Sequence, residues 1–294
     1  MLDKKSSARI DDGFRVSAAF LVALADKYET ASFMDGDPSQ FLRRYSQPRD
    51  QELAAFVVSQ LSFGQREQFI AKLDAMFDAA DDWALSSGNG DKPKTAGADK
   101  SVRKPKTCGA SFAGWLTSGG YKKFFPKSQK KFYRFFSFAD MNALCGRLAE
   151  IVGQCGSLGQ AVREAFEGGE TSGAYVAPEL RLVAALISLF PGQKCVSQNP
   201  KGACKKLHMF LRWMVRQGSP VDLGLWNWAS AADLLIPLDT HVLQESARLG
   251  LIAANAAASA KTAIELTQKM AQVFPGDPAR ADFALFGLGV DKET

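Results

Sequence analysis

Several features that mark common protein classes are absent from this sequence of 294 residues. No apolar run approaches the roughly 20 residues that a membrane-spanning helix requires, and the first residues lack the apolar core of a signal peptide. The five cysteines are scattered without a C-x2-C pair and are accompanied by only two histidines. This composition argues against a disulfide framework and against a zinc site. We therefore expect a cytoplasmic protein with reduced thiols, no metal, no cofactor and no membrane contact.

Sequence patterns typical of β-strands are also scarce. Alternating apolar and polar runs joined by Asn-Gly or Asp-Gly turns are nearly absent, apart from a weak β possibility in residues 121 to 138. Apolar residues instead recur at helical spacing along most of the chain. The sequence predicts an all-α protein, with helices over residues 14–28, 50–61, 64–83, 138–152, 157–167 and 178–190.

Positive charge is concentrated in one part of the chain. The net charge is +5, yet residues 87 to 134 alone carry a balance of +10, so the remainder sums to −5. The first part of this basic region, residues 87 to 110, is rich in Gly, Pro, Ser and Lys and has almost no large apolar residue. Such a composition predicts a mobile basic insert.

The second part of the basic region, "YKKFFPKSQKKFYRFFSF" (121 to 138), interleaves cations with aromatic rings. This combination suits nucleic acid, because the cations attract phosphates and the rings stack on bases. The alternative is a surface hairpin with buried aromatics and merely solvated lysines. The candidate DNA-binding lysines here are Lys122, Lys123, Lys130 and Lys131.

A second basic segment begins with the turn sequence "NPKGA" (199 to 203), which leads into a helix expected to start near residue 203. A helix N-terminus offers unpaired N–H groups, and nearby cations strengthen its attraction for phosphate. A solvated basic helix is the alternative. The candidate DNA-binding residues of this segment are Lys201, Gly202, Lys206, Arg212 and Arg216.

A single carboxylate, Asp239, follows the apolar run "LLIPL" and precedes "THVLQESARL", which Gly250 ends. Asp is a favoured N-cap residue, so a plain helix cap is one interpretation of Asp239. A carboxylate at the end of an apolar run is also suited to stabilising positive charge in a water-poor site.

The basic turn and helix, the "P-x-D-T-H" stretch and the ending "R-L-G-L" together resemble the helix-hairpin-helix DNA glycosylases of the endonuclease III type. The resemblance implies a two-lobed helical fold whose hairpin holds the DNA backbone. It also implies that Lys205 attacks the sugar and that Asp239 serves the same carbon. In "FVVSQLSFGQRE", it implies that Gln60 fills the gap left by a flipped base. Over nearly its whole length, the chain looks closest to an uncharacterised bacterial branch of that superfamily.

The sequence departs from the pattern of those glycosylases in three places. Lys201, Gly202 and Ala203 replace the two-glycine hairpin, and Lys205 and Asp239 are 34 residues apart, more than in endonuclease III, so Lys206 is an alternative nucleophile. The C-terminal four-cysteine loop is missing, because no cysteine follows Cys204. We therefore expect no iron–sulfur cluster.

The expected function is a DNA glycosylase that flips and excises a damaged base, with a lysine Schiff-base lyase step. Its partner is double-stranded DNA with a damaged base or an abasic site. The base pocket has aromatic candidates in Trp213, Trp226, Trp228 and Phe283. A non-catalytic DNA- or RNA-binding protein is the alternative, and a scaffold for nucleosides or protein partners is a third reading.

These interpretations divide the chain into five parts. The parts are an N-terminal helical part, a basic flexible insert, a helical lobe, the hairpin-helix and catalytic aspartate segment, and C-terminal helices that pack back on the core. Their boundaries are 1–86, 87–120, 121–196, 197–252 and 253–294.

Deletion of residues 87 to 110 is expected to weaken DNA affinity and to flatten its dependence on salt, because six Lys or Arg side chains are removed. Binding titrations at several salt concentrations measure both quantities, and circular dichroism checks that the fold is intact. Unchanged affinity would contradict a role for the insert in binding.

Overall fold

Helices dominate the part of the chain that the computed structural model describes, which comprises residues 16–88, 111–169 and 176–291. The expected all-α class is therefore confirmed in its main feature, with one small sheet added. None of the helices in these ranges is both long and apolar enough to cross a bilayer. The α-helices are α1 (Ala18–Tyr28), α2 (Pro48–Leu61), α3 (Arg66–Ser86), α4 (Phe112–Thr117), α5 (Tyr121–Phe124), α6 (Phe138–Cys155), α7 (Leu158–Glu167), α8 (Arg181–Ser188), α9 (Lys205–Val215), α10 (Thr240–Arg248), α11 (Ala260–Val273) and α12 (Ala281–Val290).

Several helices begin where a side chain satisfies their first backbone N–H groups. Ser137 forms a capping box at the start of α6, because its hydroxyl accepts from the Asp140 N–H and the Asp140 carboxylate accepts from the Ser137 N–H. Ser157 and Ser259 cap α7 and α11 more simply, because each hydroxyl accepts one backbone N–H from the first turn of its helix. These local signals explain why the sequence predicted most helix starts to within a few residues.

The weak β possibility is realised as a short antiparallel hairpin. Strand β1 (Lys131–Tyr133) pairs with β2 (Phe136–Ser137) across the turn residues Arg134 and Phe135. Arg134 has a φ of 53°, a left-handed conformation that closes the turn. Phe132, Tyr133 and Phe136 are buried, whereas Phe135 is exposed. The hairpin thus combines buried aromatics with an exposed basic surface.

The basic insert is shorter than the sequence predicted. Residues 112–117 of the expected segment 87–120 form α4, whose Phe112 and Trp115 are almost fully buried. The two rings pack on each other, and the Phe112 ring also packs on Phe77 of α3. The boundary at residue 120 is therefore wrong, because α4 belongs to the core. The Lys-rich residues 89–110 lie outside the described residues.

Helix α9 runs through the centre of the hydrophobic core. All residues from Leu207 to Val215 are buried, and Phe210 contacts Phe56 of α2, which in turn stacks on Phe190 at a centroid distance of 4.6 Å. At the other end of the chain, α12 packs against α1 and α10. The first and last helices of the described residues therefore pack against each other.

A buried network of ion pairs holds these segments together at α9. The Arg212 Nε lies 3.2 Å from Asp222 Oδ1, and its Nη1 contacts the Asp282 carboxylate. Four residues later, the Arg216 guanidinium reaches Asp222 at 2.5 Å and also pairs with Glu29 and Asp277, both at 2.8 Å. The carboxylates come from the N-terminal, central and C-terminal parts of the chain.

This network corrects the expectation that Arg212 and Arg216 face DNA. Both residues are 3% exposed, and both guanidiniums are occupied by internal carboxylates. A buried guanidinium requires such partners because unpaired burial of a charge is very costly. The two arginines act as internal cross-links of the fold and present no free surface to a phosphate.

Substitution of Asp222 by Asn is expected to destabilise the protein by roughly 3–5 kcal/mol, because it leaves two buried guanidiniums short of a counter-charge. Urea unfolding followed by tryptophan fluorescence gives the free energy of unfolding. The matched control is Glu167→Gln, which breaks an exposed pair with Arg163 and is expected to cost less than about 1 kcal/mol. Equal small losses in both variants would contradict a structural role for the network.

Candidate functional site

An open cleft of about 610 Å³ lies beside the N-terminus of α9. Its walls come from the turn between α2 and α3, the tip of the β-hairpin, the start of α9, the segment that leads into α10, and α12. Residues far apart in sequence therefore meet in one place. The side chains that matter for its chemistry are Phe63, Phe135, Lys205, Lys206, Asp239 and Asp282.

Asp239 caps α10 and also lines the cleft. Its Oδ1 accepts a hydrogen bond of 2.9 Å from the Val242 N–H, so the helix-cap interpretation is correct. The five residues before it, Leu234–Leu238, are buried, and they fix the carboxylate at the edge of the core. The cap still leaves Oδ2 without a hydrogen-bond partner among the residues that the structure describes. That oxygen is the group that Asp239 offers to the cleft.

Lys205 is the first residue of α9 and is partly buried in the wall of the cleft. Cys204 before it has a left-handed conformation and provides no side-chain cap. Within the described ranges, the Lys205 amine has no hydrogen bond or ion pair at contact distance. Its charge nevertheless acts on the buried Asp282, whose pKa it helps to lower. Lys205 therefore lines the cleft with an amine that forms no hydrogen bond or ion pair with the described residues.

Lys206 lies in the same cleft, but its amine is engaged. The Nζ donates to the backbone carbonyls of Gln60 and Cys195, each at 3.2 Å. It also lies 5.1 Å from the ring centroids of both Phe63 and Phe136. Burial lowers the pKa of Lys206 to about 8. The side chain thus joins α2, the segment before α9 and the hairpin.

Asp282, in the first turn of α12, is a charged residue of the cleft that the sequence did not single out. Burial raises its pKa to about 6, against the opposing charge of Arg212, and the neighbouring Asp239 raises it further. In the sequence, Asp282 is an acid just before the apolar run "FALFGLGV", a context that is also typical of an ordinary helix start. Asp282 and Arg212 are 70 residues apart in the sequence, so no local sequence pattern indicates that they pair.

The expected hairpin before α9 is replaced by a longer connection. Residues 189–204 join α8 to α9, and Asn199 organises their end by accepting from the N–H groups of Lys201 and Gly202. Gly202 forms an isolated bridge with Ser259 at the start of α11. Lys201 is exposed and Gly202 is partly exposed, so both remain candidates for contact with a ligand.

Gln60 does not have the position expected of a gap-filling residue. Its side chain is fully buried, and its Nε2 donates to Ser59 Oγ at 2.8 Å. A wedge must reach beyond the protein surface, so this expectation is wrong for the observed conformation. The exposed ring at the rim of the cleft is Phe135.

The remaining sequence candidates divide between the surface and the core. All four lysines of the aromatic segment, Lys122, Lys123, Lys130 and Lys131, are exposed and lie outside the lining of the cleft. Among the aromatic candidates, Trp213 belongs to the wall, whereas Trp226 is buried and donates to Glu52. The rings that the sequence did not single out for the cleft are Phe33, Phe63, Phe69, Phe135 and Phe286.

Comparison with known proteins identifies one family. A family model described as "Protein of unknown function (DUF2400)" matches residues 37–107 and 99–291. No curated protein and no solved structure matches the chain. The expected membership of the helix-hairpin-helix DNA glycosylases, including their bacterial branch, is wrong, because no glycosylase family is among the matches.

The lowered pKa of Lys206 predicts a specific dependence of stability on pH. Between pH 8 and the ordinary value of 10.5, the unfolded chain binds more protons at this lysine than the folded protein does. The stability associated with Lys206 is therefore full above pH 10.5 and decreases as the pH is lowered towards 8. Relative to Lys206→Met, the wild type is expected to gain on the order of 1–2 kcal/mol between pH 8 and 9.5. A difference that does not change with pH in urea titrations would contradict the buried position of this amine.

Proposed function

The chain belongs to the DUF2400 family, and from the chemistry of its cleft we propose that it excises a base from DNA by cleaving the N-glycosidic bond. Lys205 is the attacking amine, and Asp239 is the carboxylate that stabilises positive charge on the sugar. The substrate is double-stranded DNA with a damaged base, and an abasic site is the substrate of the associated lyase step.

One observation carries this proposal: Lys205 and Asp239, 34 residues apart in sequence, line the same cleft. Both also lie close enough to the buried Asp282 for their charges to act on its carboxyl group. An amine and a carboxylate at a common site suit cleavage of a glycosidic bond through a Schiff-base intermediate, because the amine forms the covalent bond and the carboxylate stabilises positive charge on the sugar.

The reaction follows from these two groups. The bond between the sugar C1′ and the base breaks with its electron pair going to the base, which takes up a proton, and the lone pair of the Lys205 nitrogen forms a bond to C1′. A proton is then lost from Nζ, the bond between C1′ and the ring oxygen opens, and that oxygen takes up a proton, which leaves a Schiff base between Nζ and C1′. Positive charge develops on the sugar as the base leaves, and the free oxygen of Asp239 stabilises it most strongly where water is excluded.

The choice of Lys205 over Lys206 rests on their hydrogen bonds. A pKa of about 8 supplies neutral amine at Lys206, which favours it as a nucleophile. To attack a sugar, however, Lys206 must abandon two carbonyl partners and its place between two rings. Lys205 loses no hydrogen bond when it attacks, since its amine forms none with the described residues. Geometry therefore favours Lys205.

The cleft also has properties that suit an extruded base. It is open on one side, and aromatic rings line it. A base in duplex DNA must leave the stack before an enzyme can reach its glycosidic bond. The walls include Phe33 from the segment after α1, Phe63 from the turn between α2 and α3, and Phe286 of α12. We place the DNA in this cleft, with the exposed Lys201 and Arg66 near its backbone.

Borohydride trapping on duplexes with single damaged bases or an abasic site tests the proposal. The wild type is expected to form a covalent complex that is lost in Lys205→Gln. In Asp239→Asn, formation is expected to be slower by roughly a hundredfold, because one stabilising charge is removed. Lys261→Gln is the matched control, since it removes an exposed lysine that is not part of the cleft lining, and it is expected to keep the complex.

Two other outcomes have distinct meanings. A complex that is lost in Lys206→Gln and kept in Lys205→Gln would contradict the assignment of the nucleophile. If no duplex gives a complex and alkali reveals no abasic product, while salt-sensitive binding persists, the glycosylase proposal is wrong. That result would favour a non-catalytic DNA- or RNA-binding protein.

A further inference from the structure

Phe135 is the most exposed large apolar side chain in the described part of the protein. It is 62% exposed, and the other such residue, Phe20, is 43% exposed. Isolated apolar residues are common on protein surfaces and need no explanation. Phe135 differs in its location, because it occupies the tip of the β-hairpin and forms part of the rim of the cleft.

The Phe135 ring is held in place from below. One of its faces stacks on Phe63 at a centroid distance of 5.0 Å and an interplanar angle of 27°. Phe136 contacts it edge to face at 4.9 Å. The hairpin is fixed to the turn between α2 and α3, because the Tyr133 hydroxyl donates to the Phe63 carbonyl. These contacts fix the orientation of the Phe135 ring, and the rest of its surface is exposed to solvent.

Gly64 permits this close approach of the hairpin. It has a φ of +82°, which other residues rarely adopt. A Cβ atom at this position would lie 2.8 Å from the Tyr133 hydroxyl and 3.3 Å from the Arg134 guanidinium carbon. A side chain at residue 64 would therefore push the hairpin, and Phe135 with it, away from the turn between α2 and α3.

The surface around the ring is positively charged. Lys130, Lys131 and Arg134 are exposed on the same hairpin, and no acidic residue occurs between positions 121 and 139. A ring with an open face, flanked by cations, matches a nucleic-acid strand, since its bases have flat faces and its backbone is anionic.

We propose that Phe135 is a stacking platform for an unstacked base of the DNA strand that enters the cleft. This proposal rests on the proposed function, because it assumes that the strand carrying the reacting nucleotide crosses the rim. It assigns to the hairpin a contact with bases, which the exposed lysines alone do not provide. It also replaces Gln60, whose side chain is buried, with a residue that reaches the ligand.

The test compares two single-stranded probes of equal length, an oligo-deoxyadenosine strand and a strand of abasic tetrahydrofuran units. Phe135→Ala in the full chain is expected to weaken binding of the first probe by roughly five- to a hundredfold, because stacking on one base is lost. Binding of the baseless strand and the salt dependence of both are expected to stay the same. Phe135→Trp restores stacking, whereas Phe135→Leu does not.

Phe20→Ala is the matched control, because it removes the other exposed ring, which is not part of the cleft, and it is expected to leave both affinities unchanged. Equal weakening on both probes, or no weakening on either, would overturn the stacking role. Circular dichroism excludes misfolding of the variants. These readouts measure binding alone, so a failure to trap a covalent complex leaves them interpretable, and the two proposals fail separately.

Discussion

The structure depends on the neutralisation of two arginines inside the core. Arg212 lies in α9, where all residues from Leu207 to Val215 are buried, and the buried Arg216 follows directly at the end of the helix. Neither guanidinium is tolerable there without carboxylate partners, since desolvation of an unpaired charge is very costly. The partners come from α12, from the segment after α9 and from both chain ends. The same contacts that neutralise the charges therefore determine which segments surround the helix.

This arrangement also creates the cleft. The ion pair between Asp282 and Arg212 joins the first turn of α12 to α9, and α12 also packs against α10. Asp239 at the start of α10 then faces the same space as Lys205 at the start of α9. Cations of the chain thus fall into two groups with different roles. Arg212 and Arg216 are paired with internal carboxylates, whereas Lys205 at the start of α9 and the hairpin lysines remain available to a ligand.

The sequence predicted the parts of the fold that arise from local signals. Helix α10 begins at its Asp239 cap and ends just before Gly250, and α6 begins at residue 138 as expected. Non-local features were predicted poorly. The basic spacing of Arg212 and Arg216 is typical of a solvated or DNA-facing helix, and only carboxylates distant in sequence reverse that interpretation. Likewise, no property of "VVSQLS" indicates that Gln60 is buried, because both faces of α2 are covered by other segments.

The central claim is that Lys205 acts as a nucleophile in this cleft. Mass spectrometry of the peptides from a borohydride-reduced complex with abasic DNA measures it most directly, because reduction leaves a sugar remnant on the attacking amine. The account predicts that the remnant is on Lys205. A remnant on Lys206, or on a surface lysine such as Lys131, would contradict it.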